Sequence, residues 1–195
     1  MYKRQRARAG EALSPLALPG AEDCVVELFS FAKSFHLGGF RLGFALGSAD
    51  ALAALEAVKA PIDFNQALAI QRMGSACLSL PRERAAADAR VWRERSEAMV
   101  AALRGAGWTL GEAPRACMYL FLPLACGPAA GAAGVDELAY CQRLVADAGV
   151  ALSPGRGFGP GGVGFVRVAL VRPAAELVRA AGAMTRVLQA MAAGG

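Results

Sequence analysis

The residue best suited to covalent chemistry in this chain is Lys33, which lies among aromatic and small side chains. A lysine in an apolar, partly dry setting has its charged form disfavoured, so a neutral amine becomes accessible near neutral pH. A neutral amine attacks aldehydes and forms a Schiff base with them. The surroundings of Lys33 therefore predict an amine nucleophile directed at a carbonyl compound.

Two polar residues of the same stretch add a means of holding a phosphate group. Ser30 precedes Lys33 by three residues, and Arg41 follows it by eight. A hydroxyl can donate a hydrogen bond to a phosphate oxygen, and a guanidinium can form paired bonds with two of them. Gly38 and Gly39 lie between and let the backbone approach a ligand closely. This segment therefore predicts a site for a phosphorylated aldehyde.

The pattern Ser30-x-x-Lys33, a glycine pair and then Arg41-x-Gly43 resembles the pyridoxal-phosphate lysine motif of class I/II aminotransferases, which have fold type I. The resemblance implies that pyridoxal 5'-phosphate is the cofactor and that Lys33 binds it covalently. It implies that Ser30 and Arg41 bind the cofactor phosphate. It also implies a catalytic role for Lys33, which would move a proton between the α-carbon of the substrate and the cofactor.

A second motif lies downstream, where residues 152–159 read LSPGRGFG and an apolar segment containing Arg167 follows. It is similar to the P-G-x-x-F-G turn of the same family, whose following arginine binds the substrate carboxylate. This resemblance gives the substrate-binding role to Arg167. The chemistry agrees, because a carboxylate is held best by a bidentate, permanently charged partner. The alternative for Arg167 is an exposed position on an edge strand. A nucleotide P-loop is disfavoured, since no lysine and hydroxyl residue follow the glycines.

Three further residues have less specific interpretations. Arg156, inside the turn, is a candidate for sensing a substrate side chain. His36, the single histidine, is expected to pack near the cofactor rather than to act as a general base. Tyr119 is expected to contribute mainly to core packing.

Composition and charge argue against two classes of protein, those that bind nucleic acid and those that span a membrane. The first ten residues carry four basic side chains and no acid, so subtracting them from the formal charge of +5 leaves only +1. This balance argues against a nucleic-acid partner, which would need a clustered basic face. Residues 116–135 are uncharged and long enough to cross a bilayer, but their prolines and glycines favour a buried strand and a loop over a membrane helix.

The five cysteines form no C-x-x-C pair, and a single histidine makes a zinc site improbable on chemical grounds. Cysteines that are scattered along the chain and odd in count are typical of proteins from a reducing cytoplasm. We therefore expect a cytoplasmic protein without a metal.

The start of the chain resembles the translated end of a sequencing adapter over residues 1–5; a short native basic tail is the alternative. We accordingly expect a fragment that lacks the N-terminal half of the family's chain. That half carries the residues that contact the cofactor ring, so the fragment is expected to be inactive alone and the full-length parent to be a homodimer.

The alternation of strands and helices predicts an α/β fold. The resemblance implies three segments: an N-terminal loop over residues 1–20, the C-terminal part of the large cofactor-binding domain over 21–82, and a small α+β domain over 83–195. Strands are expected at residues 24–29, 40–46, 118–122, 150–153 and 163–171. Helices are expected at 48–59, 66–80, 82–104 and 135–148 and after Pro173. Pro61 should end the first of these helices.

Single residues refine these helices. Ser48 is a plausible N-cap of the first, whose apolar stripe is Leu52, Leu55 and Val58. The charged residues of the third helix between positions 90 and 97, Arg95 among them, are expected on a solvated face. Two acids at positions 136 and 137 favour the dipole of the fourth. The last helix has an apolar stripe at helical spacing that should be core, formed by Leu177, Ala181, Met184, Leu188 and Met191.

Three functions remain open at this stage. The first is an aminotransferase that moves an amino group between an amino acid and a 2-oxo acid, with substrates of the aspartate, alanine or diaminopimelate type. The second is a C–S lyase or another fold-type-I enzyme that uses the same lysine. The third is the C-terminal half of a transcription regulator with an aminotransferase-like domain, which a helix-turn-helix upstream would indicate.

Overall fold

The computed structural model describes residues 14–114, 117–129 and 131–193. The chain divides into two compact units, residues 1–89 and 90–195. The adapter-like start and the basic cluster predicted within residues 1–10 lie outside the described residues. Within the described ranges, no helix is both long and apolar enough to cross a membrane.

The first unit is built on a two-stranded antiparallel hairpin and the helices that follow it. In chain order its elements are β1 (Val26–Ser30), α1 (Phe31–Ser34), β2 (Gly43–Gly47), α2 (Ala49–Asp63), α3 (Leu68–Leu78) and the beginning of α4 (Arg82–Gly105). The strands pair in register from Val26 opposite Gly47 to Ser30 opposite Gly43. Both predicted strands exist, with their ends shifted by one to three residues.

The hairpin requires a glycine at the last paired residue of β2, Gly47. Gly47 has φ of 143°, and a Cβ atom built there would lie only 1.9 Å from the carbonyl oxygen of Val25. That carbonyl accepts a hydrogen bond of 3.0 Å from the Ser48 N–H. No side chain can be added at Gly47 without moving one of the two strands.

Gly47→Ala is therefore expected to lower the free energy of unfolding of the first unit by about 3 kcal/mol, from backbone strain and the lost strand contact. Urea denaturation of the chain measures this effect. Gly39→Ala is the matched control, because a Cβ at Gly39 meets nothing within 4 Å. Equal destabilisation by the two substitutions would contradict the steric argument.

Helix α2 runs further than the sequence predicts. Ser48 caps it as expected, with Oγ accepting a hydrogen bond of 3.4 Å from the Ala51 N–H. Pro61, however, lies inside the helix, which continues to Asp63. The prediction that Pro61 ends the helix is wrong because a proline removes one N–H donor and need not stop the last turn. The Phe64 N–H closes that turn by donating to the Ala60 carbonyl at 3.0 Å.

Most of the apolar stripe predicted for α2 is exposed. Of its three residues Leu52 is half-buried, whereas Leu55 is 44% and Val58 63% exposed. Ile62, further along the helix, is 76% exposed, and α2 contains no buried residue. Helical periodicity identifies an apolar face but says nothing about whether its partner belongs to the same stretch of chain. Just beyond the helix, Phe64 is 82% exposed as well.

The second unit is a three-stranded antiparallel sheet with helices. It comprises the remainder of α4, then β3 (Tyr119–Pro123), α5 (Glu137–Ala148), β4 (Ser153–Pro154), β5 (Phe165–Ala169) and α6 (Ala174–Ala193). The strand order is β3-β5-β4, so β5 is central. Arg167 on β5 faces Phe121 on β3 and Ser153 on β4.

One face of this sheet packs on the hydrophobic core, and the other carries Arg167. Val166 and Val168 are buried, whereas Phe165, Arg167 and Ala169 are half-buried, which is the alternation of a strand with one face on the core. The helical stripe predicted for α6 forms part of the core, as do residues of α4, α5 and β3. The core includes two buried tryptophans, Trp92 and Trp108. The largest apolar side chains that are fully buried are Met99, Leu103, Leu124, Tyr140, Leu144, Leu170, Met184 and Leu188.

Buried polar groups of the second unit are paired across the core. The indole N–H of Trp108 donates to Thr185 Oγ1 at 2.9 Å, and the Tyr140 hydroxyl donates to the Met184 carbonyl at 2.8 Å. Burial raises the pKa of the Tyr140 hydroxyl, which stays protonated as a donor. These bonds attach α6 to α5 and to the segment after α4.

Candidate functional site

The predicted lysine segment is the loop that connects β1 to β2, and the pairing of these two strands brings the ends of the loop together. Ser30 pairs with Gly43, and inside that pair the Phe31 N–H donates to the Leu42 carbonyl at 3.1 Å. Residues 31–42 therefore leave and re-enter the sheet at adjacent positions. Lys33 and Arg41 belong to the same closed loop, and Ser30 stands at its entrance.

Ser30 has two roles in the local backbone. It is the last residue of β1 and the N-cap of α1, with Oγ accepting a hydrogen bond of 3.2 Å from the Ala32 N–H. A serine hydroxyl has one donor and two acceptor sites, so this cap leaves the O–H available to a ligand oxygen. Lys33 follows on α1 and is half-buried.

Arg41 is held to its own loop in a costly backbone conformation. Its φ of 50° and ψ of 48° are left-handed, which costs a non-glycine residue about 1–2 kcal/mol. Its Nη1 donates to the Gly38 carbonyl at 2.9 Å, which uses one of the five guanidinium N–H groups. A Cβ added to Gly38 would lie 3.9 Å from the Ala32 carbonyl, so this turn packs against α1. The result is an exposed cation fixed close to the helix that carries Lys33.

An aromatic cluster supports the loop. Phe31 is buried, and its ring centroid lies 5.2 Å from that of Phe35 and 5.4 Å from that of Phe44. Phe44 in turn stacks on Phe29 at 4.8 Å. On α3, a Cβ at the buried Gly74 would approach the Phe31 ring to 3.3 Å. Aromatic rings therefore pack at the base of the loop, while the apolar setting of the Lys33 amine itself stays a prediction.

His36 does not pack into this cluster. Its side chain is 53% exposed, and Nε2 lies 3.7 Å from Asp88 Oδ2. The packed position against Phe31 belongs to its neighbour Phe35. That His36 packs near the cofactor rather than acting as a general base stays a prediction.

Arg167 is enclosed by aromatic rings on the outer face of the second unit's sheet. Its Cζ atom lies 4.6 Å from the ring centroid of Tyr119 and 4.6 Å from that of Phe158. Nη2 donates to Ser153 Oγ on β4 at 3.1 Å. Arg167 is thus half-buried on the central strand, and the alternative of an exposed edge position does not hold. Tyr119 packs against the core as expected and also contacts this guanidinium.

One hydrogen-bond donor of the Arg167 guanidinium lacks an acceptor within the described residues. The Nε–H is buried and has no hydrogen-bond partner among the residues that the structure describes. A buried N–H without an acceptor costs about 1–3 kcal/mol, so such groups are rare in structural ion-pair positions. The geometry is that of a fixed guanidinium with capacity for an additional acceptor.

Arg156 is engaged by two carboxylates rather than presented to a substrate side chain. Its Nε donates to Glu137 Oε1 at 2.6 Å, and Nη2 contacts both Glu137 Oε2 and Asp136 Oδ2. Glu137 is 1% exposed and also accepts from the Gly164 N–H at 3.1 Å. The idea that Arg156 senses a substrate is therefore replaced by a structural role. It ties the glycine-rich turn to the start of α5.

The hydrogen bond from Arg156 lowers the pKa of Glu137 to about 2, despite the opposing effect of burial. Because this pKa lies below the ordinary value of 4.5, the pair's contribution to stability is complete above about pH 4.5. It is lost as the pH falls toward 2.

Glu137→Gln is expected to lower the free energy of unfolding at pH 7 by about 2 kcal/mol, because charge-assisted bonds to a buried carboxylate are lost. Thermal melts of both proteins between pH 7 and pH 3 should show a difference that shrinks below pH 4.5. Glu176→Gln, in an exposed pair with Arg172, is the control and should cost under about 0.5 kcal/mol. A pH-independent difference would refute the ionised pair.

The structure thus groups Ser30, Lys33 and Arg41 in one loop of the first unit and places Arg167 in the second unit. Sequence reasoning missed the pairing of Glu137 with Arg156 and the contact of Phe158 with Arg167. An acidic pair at the start of α5 was interpreted only as favourable to the helix dipole. The one signal in the sequence was Arg156 itself, because a charged side chain within a glycine-rich turn indicates an acidic partner elsewhere in the chain.

Comparison with known proteins identifies the family. The sequence profile of aminotransferase class I and II matches residues 6–184. The chain belongs to this family. It is 34% identical over 177 residues to the LL-diaminopimelate aminotransferase of Moorella thermoacetica, covering 91% of this chain and 43% of that protein. It is 35% identical over 171 residues to the LL-diaminopimelate aminotransferase of Gloeobacter violaceus, covering 88% and 42%.

Solved structures agree with this assignment. A probable N-succinyldiaminopimelate aminotransferase from Thermus thermophilus is 54% identical, with a TM-score of 0.82, and the match covers 95% of this chain and 48% of that one. An aromatic aminotransferase from Pyrococcus horikoshii has a TM-score of 0.83 at 21% identity, which shows a shared fold; that match covers 97% of this chain and 49% of the other. The predicted fold-type-I class is confirmed. The chain spans less than half the length of these relatives.

Proposed function

We propose that this chain supplies the cofactor loop and the carboxylate-binding strand of an aminotransferase that uses pyridoxal 5'-phosphate. The observation that carries the proposal is the closed loop of residues 31–42. This short loop contains both the half-buried amine of Lys33 and the fixed cation of Arg41, and the hydroxyl of Ser30 stands at its entrance. The reaction proposed is transfer of an amino group between an amino acid and a 2-oxo acid.

The residues of the loop fit a phosphorylated aldehyde. Arg41 is in a strained left-handed conformation whose cost is offset if the position serves a ligand, and its bond to the Gly38 carbonyl uses one guanidinium N–H. A planar guanidinium matches phosphate oxygens. Ser30 contributes a hydroxyl proton from the loop entrance. Both groups lie on backbone fixed by the hairpin, so they need little reordering to bind an anion.

When bound, the cofactor supplies an electron sink for charge that develops at the substrate's α-carbon. Lys33 Nζ would hold the aldehyde carbon of the cofactor, and the same amine would accept and return the proton of the substrate's α-carbon. Lys33 is the third residue of α1, which begins directly after the Ser30 cap, so that helix places the amine. Arg167 would orient the substrate by its carboxylate, since its Nε–H has no partner among the described residues.

We further propose substrates of the diaminopimelate type. This rests on the names of the relatives, two LL-diaminopimelate aminotransferases and a probable N-succinyldiaminopimelate aminotransferase. Aspartate-type and alanine-type substrates have less support. The full-length protein is proposed to be a cytoplasmic homodimer; five free thiols suit a reducing compartment.

The C–S lyase and transcription-regulator alternatives are less well supported, since the relatives reported above are all named aminotransferases. A lyase would use the same lysine and the same phosphate-binding residues. The distinction therefore has to come from the reaction catalysed.

The test is a chimera that joins this chain to the remaining part of the Thermus thermophilus protein, with that protein as the positive control. Amino-group transfer from diaminopimelate or its N-succinyl derivative to a 2-oxo acid is the expected result. Cleavage of a thioether amino acid with release of a thiol, without transfer, would overturn the proposal in favour of the lyase.

A further inference from the structure

The second motif contains an exposed aromatic side chain with no role in the core. Phe158 is 54% exposed, yet its ring lies over the Arg167 guanidinium at 4.6 Å and makes an edge contact with Phe121 at 6.0 Å. An exposed phenylalanine contributes little to folding stability by burial alone. Its ring lies against the same guanidinium whose Nε–H is buried without a partner in the part of the chain that the structure describes, so this contact needs another explanation.

The turn that carries Phe158 is rigidly placed. A Cβ at Gly155 would lie 2.1 Å from the Gly162 carbonyl, so the two ends of the turn are in direct backbone contact. The buried carboxylate of Glu137, at the start of α5, accepts hydrogen bonds from Arg156 and from the Gly164 N–H. These bonds attach both ends of the turn to α5. Phe158 is consequently held over Arg167 by contacts that do not involve Arg167 itself.

We propose that Phe158 is a positioning residue that excludes water from the Nε–H edge of Arg167 and thereby sets the affinity of this guanidinium for a carboxylate. The inference rests on the proposed carboxylate role of Arg167 and goes beyond it. Tyr119 and Ser153 complete the arrangement: the Tyr119 ring lies 4.6 Å from Cζ, and Ser153 Oγ accepts from Nη2.

The physical reason is the cost of an unsatisfied donor. Water excluded by the ring cannot hydrogen-bond to the Nε–H, so the empty site is less stable than a hydrated one. A carboxylate oxygen that accepts from this N–H removes the penalty, and the low local dielectric strengthens the new bond. The rings and Ser153 also restrict the guanidinium before binding, which reduces the entropy lost on binding.

The experiment follows the Arg167 Nε–H signal by ¹⁵N–¹H NMR in the full 195-residue chain, with Arg167→Lys used to assign it. Pyruvate is the probe, titrated against sodium chloride at equal ionic strength. In the unchanged chain we expect slow exchange of this proton with water and a downfield shift on adding pyruvate. Phe158→Leu should weaken pyruvate binding by about fivefold and speed proton exchange, as expected for a lost ring contact and a hydrated donor.

Two variants separate the aromatic effect from a general loss of structure. Phe158→Tyr keeps the ring and should restore slow exchange and pyruvate affinity. Val163→Ala changes another exposed apolar residue of the same region and should leave both unchanged. If pyruvate shifts the signal equally in Phe158→Leu and the unchanged chain, the positioning role is overturned while the carboxylate role stands. If pyruvate moves the signal in neither, the carboxylate role of Arg167 fails and the inference fails with it.

Discussion

Replacing Lys33 by Ala in the chimeric enzyme is expected to lower kcat for amino transfer by roughly 10⁴-fold, because the proposed role of this one amine includes both cofactor attachment and proton transfer. The substitution removes a half-buried side chain from a four-residue helix whose cap and aromatic neighbour are unaffected. The protein should therefore fold normally. Steady-state kinetics with a far-UV circular dichroism check measure the effect.

Lys59→Ala is the matched control for this substitution. Lys59 lies in the same unit and pairs with Asp63 at 2.6 Å in an exposed i,i+4 arrangement, so its loss removes the same charge without touching the loop. It should change kcat by less than about twofold, as exposed pairs of this kind contribute little. Lys33→Arg keeps the charge but not a nucleophilic amine and should be as inactive as Lys33→Ala. Retention of one-hundredth or more of the activity by either Lys33 variant would contradict the assignment.

Arg167→Ala is expected to raise the KM values for the amino acid and the 2-oxo acid by roughly 10²–10³-fold, the size of losing a charged partner of a carboxylate in a partly dry site. Affinity for pyridoxal 5'-phosphate should change little, because the residues proposed to bind its phosphate, Ser30 and Arg41, belong to the first unit. The substitution also removes an unsatisfied Nε–H, so stability should not fall in proportion to binding. Parallel titrations of cofactor and substrate measure the difference.

Arg143→Ala is a suitable control in the same unit, since Arg143 makes an exposed i,i+4 pair with Asp147 at 2.9 Å. Arg167→Lys tests geometry at constant charge. A lysine lacks the planar fork, so this variant should recover only part of the lost substrate affinity. Equal loss of cofactor and substrate affinity in Arg167→Ala would rule out the carboxylate role.

Sequence reasoning found the features that are local in the chain. The ends of the lysine loop, the Ser48 cap and the apolar stripe of α6 depend on residues a few positions apart, and the structure contains each of them. The alternation of residue types along β5 likewise predicted a strand, and the structure shows that one face of this strand lies on the core. Such patterns reflect backbone geometry, which neighbouring residues largely determine.

Features that depend on distant partners were harder to predict. Glu137 and Arg156 are 19 residues apart, and nothing in their local sequence states that the carboxylate is buried beneath the guanidinium. The stripe of α2 was expected to pack, but Leu55 and Val58 are exposed, because periodicity predicts a face and not its partner. Arg95, expected on a solvated face of α4, instead reaches the Leu170 carbonyl at 3.2 Å, since a long side chain can leave its own helix surface.

The central claim is that the loop of residues 31–42 directs one particular amine at a phosphorylated aldehyde, and the 195-residue chain offers a direct test. Its only lysines are Lys3, Lys33 and Lys59. Incubation with pyridoxal 5'-phosphate, reduction with borohydride and peptide mapping report how the label is distributed among them. The account predicts label concentrated on Lys33 and diminished in Arg41→Ala, whereas equal labelling of Lys33 and the exposed Lys59 would contradict it.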